Sequence, residues 1–216
     1  MKNLFPILFC FLFFLLFSSS AQAQQAGPVA DKETDSRKLH FFIGYDLGEA
    51  MFNSFQSLSG EVGVSLPNRH LIRLVHMNVN LTEQHLSSDF VATVDGDNVE
   101  GKMLGFELFY SYPLFQWREG DQGFYVSPSL GVYNNQYWHT ELDERLDHTS
   151  GTAGFELSFR EVNPFKTQGA FKGLYYTVSL PFRFHFSPHD KTQLGNTTIS
   201  SNAFDNNIWL FIGYEF

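Results

Sequence analysis

The sequence has 216 residues, of which 43% are hydrophobic and 17% aromatic, and its formal net charge is −9 at pH 7. This length fits a single domain, and an acidic chain is a poor candidate for binding nucleic acid, whose phosphates attract basic surfaces. Cys10 is the one cysteine and lies in an N-terminal apolar run, so the rest of the chain cannot form an internal disulfide.

The first 23 residues have the pattern of a secretory signal peptide. A positive charge at Lys2 precedes the apolar run 4–17, and the small residues Ala21 and Ala23 frame a cleavage site. The run is shorter than the roughly 20 apolar residues that a membrane-spanning helix needs. We therefore predict that residues 1–23 direct export and are removed by cleavage after Ala23.

The remaining chain divides into a short leader and one domain. Residues 24–38 contain Gly27, Pro28 and many charged side chains, which predicts a flexible leader. Residues 39–216 contain no apolar run long enough for a spanning helix, so this domain would enter a membrane only as strands.

Eight segments of the domain alternate between apolar and polar or small residues, which predicts strands with one apolar face. They are residues 39–48, 58–66, 70–81, 103–112, 124–134, 153–160, 174–186 and 208–216. The opposite faces mix glycines with ionised residues, which suits a narrow interior. We predict an all-β fold, an eight-stranded antiparallel transmembrane β-barrel with its apolar faces outward.

The third strand fits this pattern least well. Its predicted outward face includes Val75, Met77 and Val79, and the same face then carries Arg73. Because Arg73 follows a turn at 67–69, its cost in lipid would be only about 0 to 1 kcal/mol. Ile72, Leu74 and His76 would point inward.

The connections between the strands are predicted to alternate in length. The short ones are 67–69, 113–122 and 163–170, and the long ones are 49–57, 82–102, 135–150 and 187–207, although 49–57 and 113–122 are similar in length. Within 82–102, segments 90–94 and 99–103 flank a turn-forming Asp95-Gly96-Asp97-Asn98, which predicts a projecting hairpin. Pro128 and Pro181 lack an N–H within predicted strands, so we expect a β-bulge at each.

The last strand carries a further signal. Its apolar face places every second residue outward and ends on a terminal aromatic residue: Ile208, Leu210, Ile212, Tyr214 and Phe216. This pattern resembles the C-terminal signal of bacterial outer-membrane β-barrels, and the chain resembles the small OmpA-type and OmpX-type barrels. The resemblance implies location in the outer membrane and recognition by the barrel-assembly machinery. The alternative from alternation alone is a secreted lipocalin-like carrier, whose apolar face would point inward.

Ionisable residues on the inward faces are predicted to pair as a plug in the lumen, because isolated charges there would be costly. The predicted network is Asp46, Glu61, His76, Glu107, Glu156, Arg160, Arg183, His185 and Glu215. A proton or ion path is the alternative role. Eight strands leave an interior filled by side chains, so a wide pore is not expected.

One motif offers an enzymatic alternative. His85-Leu86-Ser87 resembles the His-x-Ser spacing of outer-membrane lipid A deacylases, in which the His activates the Ser. If this segment were a strand, both side chains would share a face, with Asp89 or Glu83 orienting the imidazole. Ser88 stands where that family commonly has Asn, and we predict no catalytic site here.

No cofactor or metal site is predicted either. Asp95, Asp97, Asn98 and Glu100 offer oxygen ligands for calcium, but the same residues are common in turns. The predicted function is non-enzymatic: a barrel with a plugged polar lumen that stabilises the envelope or binds external partners. Its partners would be membrane lipid and lipopolysaccharide, and an extracellular ligand at loops 82–102 and 135–150.

Overall fold

In a computed structural model, the chain folds as a closed antiparallel β-barrel. The structure describes residues 38–81, 83–86, 92–95, 98–118, 121–188 and 190–216, which all belong to one compact unit. The predicted signal peptide, and the leader except Lys38, lie outside these residues. No helix in the described ranges is long and apolar enough to cross a membrane.

The described residues form twelve strands and two short α-helices. The strands are β1 (His40–Asp46), β2 (Gly60–Ser65), β3 (Leu71–Leu81), β4 (Ala92–Asp95), β5 (Val99–Trp117), β6 (Gln122–His139), β7 (Arg145–Val162), β8 (Leu174–His185), β9 (Thr192–Leu194), β10 (Thr197–Ser201), β11 (Phe204–Asn206) and β12 (Trp209–Glu215). The helices are α1 (Leu47–Phe52) and α2 (Glu83–Leu86), with a 3₁₀ turn at Gly169–Phe171.

Eight positions around the ring close the barrel. The order is β8, β12, β1, β2, β3, β5, β6 and β7, and β7 pairs again with β8. Strand β11 also pairs with β8, on the same side as β12. Strands β11 and β12 therefore occupy one strand position of the barrel, one after the other. The predicted eight-stranded antiparallel barrel is confirmed, and its closure leaves no open sheet edge around the ring.

Alternation along β5 shows how the sequence sets the two faces. Phe106 and Leu108 are 46% and 51% exposed on the outer surface, whereas Glu107 and Phe109 are fully buried inside. Successive side chains of a strand point to opposite faces, so one apolar row faces out and one mixed row faces in.

Strand β3 faces the opposite way from its prediction. Arg73, Val75, Met77 and Val79 are buried in the interior, as are Leu71 and Leu81, and Ile72 and Leu74 are exposed outside. Both rows of this strand are apolar near its start, so hydropathy alone could not choose between them. The carboxylates inside the barrel decide the orientation, because they pair with Arg73.

Two predicted loops are also corrected. Strand β6 runs to His139 and β7 begins at Arg145, so the predicted loop 135–150 is a strand hairpin with a link of only 140–144. In the described part of the predicted hairpin, 92–94 does not pair with 99–103. Strand β4 pairs instead with β10, in a three-stranded sheet with β9, and 99–103 is the start of β5.

Neither predicted proline bulge is present. The β7 to β8 register runs through Glu156 and Pro181 without a shift, and the β6 to β7 register runs through Pro128 in the same way. On its other side Pro181 lies opposite the break between β11 and β12, where no N–H is needed. The register shift lies between Pro113 and Phe115.

The two ends of the barrel differ in construction. At the turn end, links 66–70, 118–121 and 163–173 join the strands, and β1 begins and β12 ends there. Exposed aromatic residues lie toward this end on several strands: Phe41 on β1, Tyr110, Tyr112 and Trp117 on β5, and Phe124 on β6. At the loop end, the outer row becomes polar at Asn80 and Lys102. The outer surface therefore carries an apolar belt bounded by aromatic residues on one side and polar residues on the other, as expected for lipid contact.

The facing of β3 can be tested with single cysteines, since Cys10 lies in the predicted signal peptide. An apolar maleimide dissolved in the bilayer should label Leu74→Cys, which is on the outer face, and should not label Val75→Cys, which is buried. Phe106→Cys and Phe109→Cys on β5 serve as the matched outer and inner controls. Labelling of Val75→Cys with protection of Leu74→Cys would reverse our assignment.

Candidate functional site

The centre of the lumen is organised around Arg73, whose side chain is 1% exposed. Its Nη1 and Nη2 donate to Glu156 Oε1 and Oε2 at 2.9 and 3.0 Å. Its Nε lies 3.1 Å from Glu61 Oε2. One guanidinium thus joins two carboxylates, and the forked bond to Glu156 is the strong bidentate kind.

A second guanidinium, that of Arg160, lies between Glu215 and Glu61. Arg160 Nη2 donates to Glu215 Oε2 at 3.0 Å, and its Nη1 lies 3.7 Å from Glu61 Oε1. The same group lies over the ring of Tyr175 at 3.6 Å, where a cation is attracted to the aromatic face. Tyr175 donates its hydroxyl to Glu61 Oε1 at 2.8 Å, so Glu61 is held from three sides.

A separate cluster lies nearer the loop end. Arg183 donates from Nε to Glu107 Oε2 and from Nη1 to Asp205 Oδ1, both at 2.7 Å. Tyr133 also donates its hydroxyl to Glu107. His185 Nε2 lies 2.7 Å from Asp205 Oδ2. The two clusters fill the interior with paired charges, which is what burial of so many ions requires.

Most residues predicted for the lumen lie in these clusters, but two do not. Asp46 caps α1, accepting the Glu49 N–H at 3.1 Å, because the chain turns from β1 into a helix there. His76 lies on the outer face, where its ring stacks on Phe106 with centroids 4.6 Å apart. The placement of His76 inside was wrong for the same reason as the facing of β3.

Sequence reasoning missed several members of the network. Arg73 was assigned to lipid, Asp205 to a long loop, and Tyr133 and Tyr175 to no role. The signal for the tyrosines was the pattern of small residues: a Cβ on Gly105 would collide with the Tyr133 ring, and one on Gly213 with the Tyr175 ring. Glycines on an inward face therefore mark where a large side chain crosses the lumen.

Of the His85 motif, the structure describes His85 and not Ser87. His85 lies in α2 rather than on a strand and is 5% exposed. Its Nε2 is 3.2 Å from Glu49 Oε1, and its ring meets Phe52 edge-on. Ser87 and Asp89 lie outside the described residues, as does the side chain of Glu83. Within the described part, the partner of the imidazole is Glu49.

The residues of the calcium alternative lie partly outside the described part of the chain. Asp97 lies outside the described residues, and so does the side chain of Asp95. Glu100 accepts the indole N–H of Trp138 at 3.2 Å across the outer face. Among the residues that the structure describes, no three His, Cys, Asp or Glu side chains are placed to hold a metal ion.

The distribution of polarity identifies the environment of the barrel. A soluble barrel buries an apolar interior and exposes polar residues. Here the interior holds ion pairs and the outer rows are phenylalanine, leucine, valine and isoleucine. This arrangement suits lipid and rules out the interior of a lipocalin-like carrier. The chain is an outer-membrane β-barrel protein.

No protein-family model matches the chain. No curated protein sequence matches it either. Among solved structures, Ail, the attachment invasion locus protein of Yersinia pestis, aligns with 82% of this chain and 97% of its own, at 13% identity and a TM-score of 0.39.

Removing the central guanidinium should strongly destabilise the barrel. Arg73→Ala leaves Glu61 and Glu156 buried without their cation, and breaking a buried pair in this way costs about 3 to 5 kcal/mol. The free energy of unfolding in detergent, followed by heat-modifiable gel migration, measures the loss.

The matched control for that experiment is Arg145→Ala. Arg145 pairs with Asp147 at 3.0 Å on the surface, and both side chains are at least half exposed. Removing such a pair should cost less than about 1 kcal/mol. Equal effects of the two substitutions would show that the lumen pairs do not stabilise the fold.

Proposed function

We propose that the protein stabilises the bacterial envelope as a plugged barrel and presents its loop end to external partners. The observation that carries this proposal is that the lumen side chains bridge separate parts of the wall. Arg73 to Glu156 joins β3 to β7, Tyr175 to Glu61 joins β8 to β2, and Arg183 to Glu107 joins β8 to β5. Each bridge crosses two intervening strands.

Such bridges across the lumen stiffen the barrel wall. Backbone ladders hold neighbouring strands together, but they do not resist flattening of the ring. Charged hydrogen bonds across the interior do resist it, because each fixes the distance between strands that are not neighbours. A braced, filled interior favours a structural role over passage of solutes, and this role needs no catalysis.

The loop end supports contact with partners because its segments are fixed to one another. The Thr140 N–H donates to the Asn98 carbonyl at 2.8 Å, and the Gly195 N–H donates to Glu144 Oε2 at 2.6 Å. The sheet of β4, β10 and β9 lies on the same end. Segments 82–102 and 135–150 would therefore present a preformed surface, which lowers the ordering cost of binding.

The outer surface supplies the lipid contacts of this proposal. The apolar belt would meet acyl chains, and the acidic outer residues at the loop end, including exposed Glu100 and Asp147, would lie beside lipopolysaccharide. Divalent cations between those carboxylates and anionic head groups would favour the contact.

If the lumen is plugged, purified protein in planar bilayers should give no steady conductance steps. The Arg73→Ala, Glu156→Ala double variant, which deletes one bridge, should give more current than the wild type. Leu130→Ala, which shortens an outer side chain, is the control and should stay silent. Steady ohmic conductance of the wild type would contradict the plug.

The last residue supports recognition by the barrel-assembly machinery. The backbone N–H of Phe216 donates to the Phe41 carbonyl at 2.9 Å, and the Phe41 N–H donates to the Phe216 carbonyl at 3.2 Å. Phe216 therefore extends the pairing of β12 with β1. The Phe216 ring is 64% exposed on the outer face, near Tyr214.

Deletion of Phe216 should therefore reduce assembly in the outer membrane while export continues. Folded and unfolded protein in membrane and periplasmic fractions, separated by heat-modifiable migration, measures both steps. Phe165→Ala is the control, because that ring is 76% exposed in a turn and Phe165 takes no part in the pairing of β12 with β1. Unchanged assembly of the truncated chain would count against a role of Phe216 in recognition.

A further inference from the structure

Three polar residues at the loop end of the lumen form a line of hydrogen bonds. Ser150 Oγ lies 2.9 Å from His185 Nδ1, and His185 Nε2 lies 2.7 Å from Asp205 Oδ2. The three come from β7, β8 and β11, which pair side by side in the wall. A hydroxyl, an imidazole and a carboxylate in series are the parts of a nucleophile activated by a base.

The carboxylate fixes the protonation pattern of the imidazole. A neutral imidazole has one donor and one acceptor nitrogen. The Asp205 carboxylate can only accept a hydrogen bond, so the imidazole proton is held on Nε2, and Nδ1 is left to accept from the Ser150 hydroxyl. Asp205 itself accepts from Arg183 Nη1 at 2.7 Å, and the backbone N–H of His185 donates to the Ala203 carbonyl at 2.9 Å. The geometry is therefore held by the barrel wall.

A small cavity of about 30 Å³ adjoins this line. His185, Asp205 and Tyr133 line it, and Ser150 is the direct cross-strand neighbour of Tyr133 on the inner face. Arg183 also lines it, and its Nη2 is buried without a hydrogen-bond partner among the described residues. Because a water needs about 10 to 15 Å³ of such space, the cavity fits about two water-sized groups, the size of an acetyl carbonyl and its methyl.

We propose that Ser150 is the nucleophile of an acyl-transfer site for acetyl-sized esters. Ser150 Oγ attacks the carbonyl carbon, and its proton passes to His185 Nδ1. Arg183 Nη2 donates to the developing oxyanion. The C–O bond to the alcohol then breaks, and the leaving oxygen takes the proton from Nδ1, which leaves acetyl-Ser150 and a free alcohol.

Water completes the reaction. It attacks the acetyl carbon while His185 Nδ1 takes its proton, and that proton returns to Ser150 Oγ as the acyl bond breaks. The sum is ester plus water giving acetic acid plus alcohol, with no other reactant. Ser150, His185 and Arg183 touch the reacting atoms, and Asp205 is a positioning residue.

The interior contains serines that lack these neighbours. Ser127 donates to the hydroxyl of Ser111 at 2.8 Å, and Ser158 is buried on β7, eight residues further toward the turn end. Ser158→Ala therefore gives a matched control on the same strand and face. The activity goes beyond the bracing role, which depends on charge pairs and would survive loss of the Ser150 hydroxyl.

The first test uses methanesulfonyl fluoride, which is close to an acetyl group in size. Full-length protein in detergent micelles should gain one sulfonyl group, mapped by peptide mass spectrometry to Ser150. Ser150→Ala should gain none, and Ser158→Ala should react like the wild type. No adduct on the wild type, or an adduct that persists in Ser150→Ala, would overturn the proposal. The absence of an adduct on the wild-type protein contradicts the proposal by itself, so this outcome does not depend on whether a variant folds.

The second test separates catalysis from packing. The wild type should hydrolyse 4-nitrophenyl acetate faster than Ser150→Ala and should not hydrolyse the octanoate, which exceeds the cavity. Asp205→Asn should lower kcat by about 100-fold or more with little change in KM, as expected for loss of general-base orientation. Equal rates for the wild type and Ser150→Ala, or hydrolysis of both esters alike, would contradict an acetyl-sized site.

Discussion

The fold depends on the requirement that charges inside a narrow barrel be paired. Arg73 satisfies this requirement for Glu61 and Glu156 at once, and both carboxylates are fully shielded from solvent. An unpaired ion in this place would cost several kcal/mol. The pairing therefore fixes which face of β3 points inward, and with it the register of the neighbouring strands.

Other features of the interior follow from the same requirement. The guanidiniums of Arg160 and Arg183 each lie against an aromatic ring as well as a carboxylate, Tyr175 and Trp209 respectively. The Tyr175 ring needs room, which Gly213 provides by leaving the inner surface bare, and Gly105 does the same for the ring of Tyr133. In the interior, guanidinium groups pack against aromatic rings, and glycines leave space for those rings. The outer rows need only be apolar.

The sequence was informative where one face was clearly apolar and uninformative elsewhere. Alternation predicted β5, β8 and the last strand because their inner rows contain glycine, serine and ionised residues. It failed at β3, where Ile72 and Leu74 match Val75 and Met77 in hydropathy. A count of lumen charges would have helped: the predicted interior holds four glutamates and only two arginines, and moving Arg73 inward reduces that excess of negative charge.

The candidate sites were harder to predict because they join distant segments. Ser150 and Asp205 lay in predicted loops, and nothing local links them to His185. Only the closed ring brings β7, β8 and β11 together. By contrast, the neighbouring His85 and Ser87 formed a visible motif, but His85 lies in helix α2, where its Nε2 contacts Glu49.

A double-mutant cycle on Arg73 and Glu156 tests the central claim, that paired charges brace the lumen. Unfolding free energies of the wild type, Arg73→Met, Glu156→Gln and the double variant give the coupling between the two side chains. We expect a favourable coupling of about 1 to 3 kcal/mol, as found for residues in one buried network. Additive effects, with a coupling near zero, would show that the bridge does not hold the barrel together.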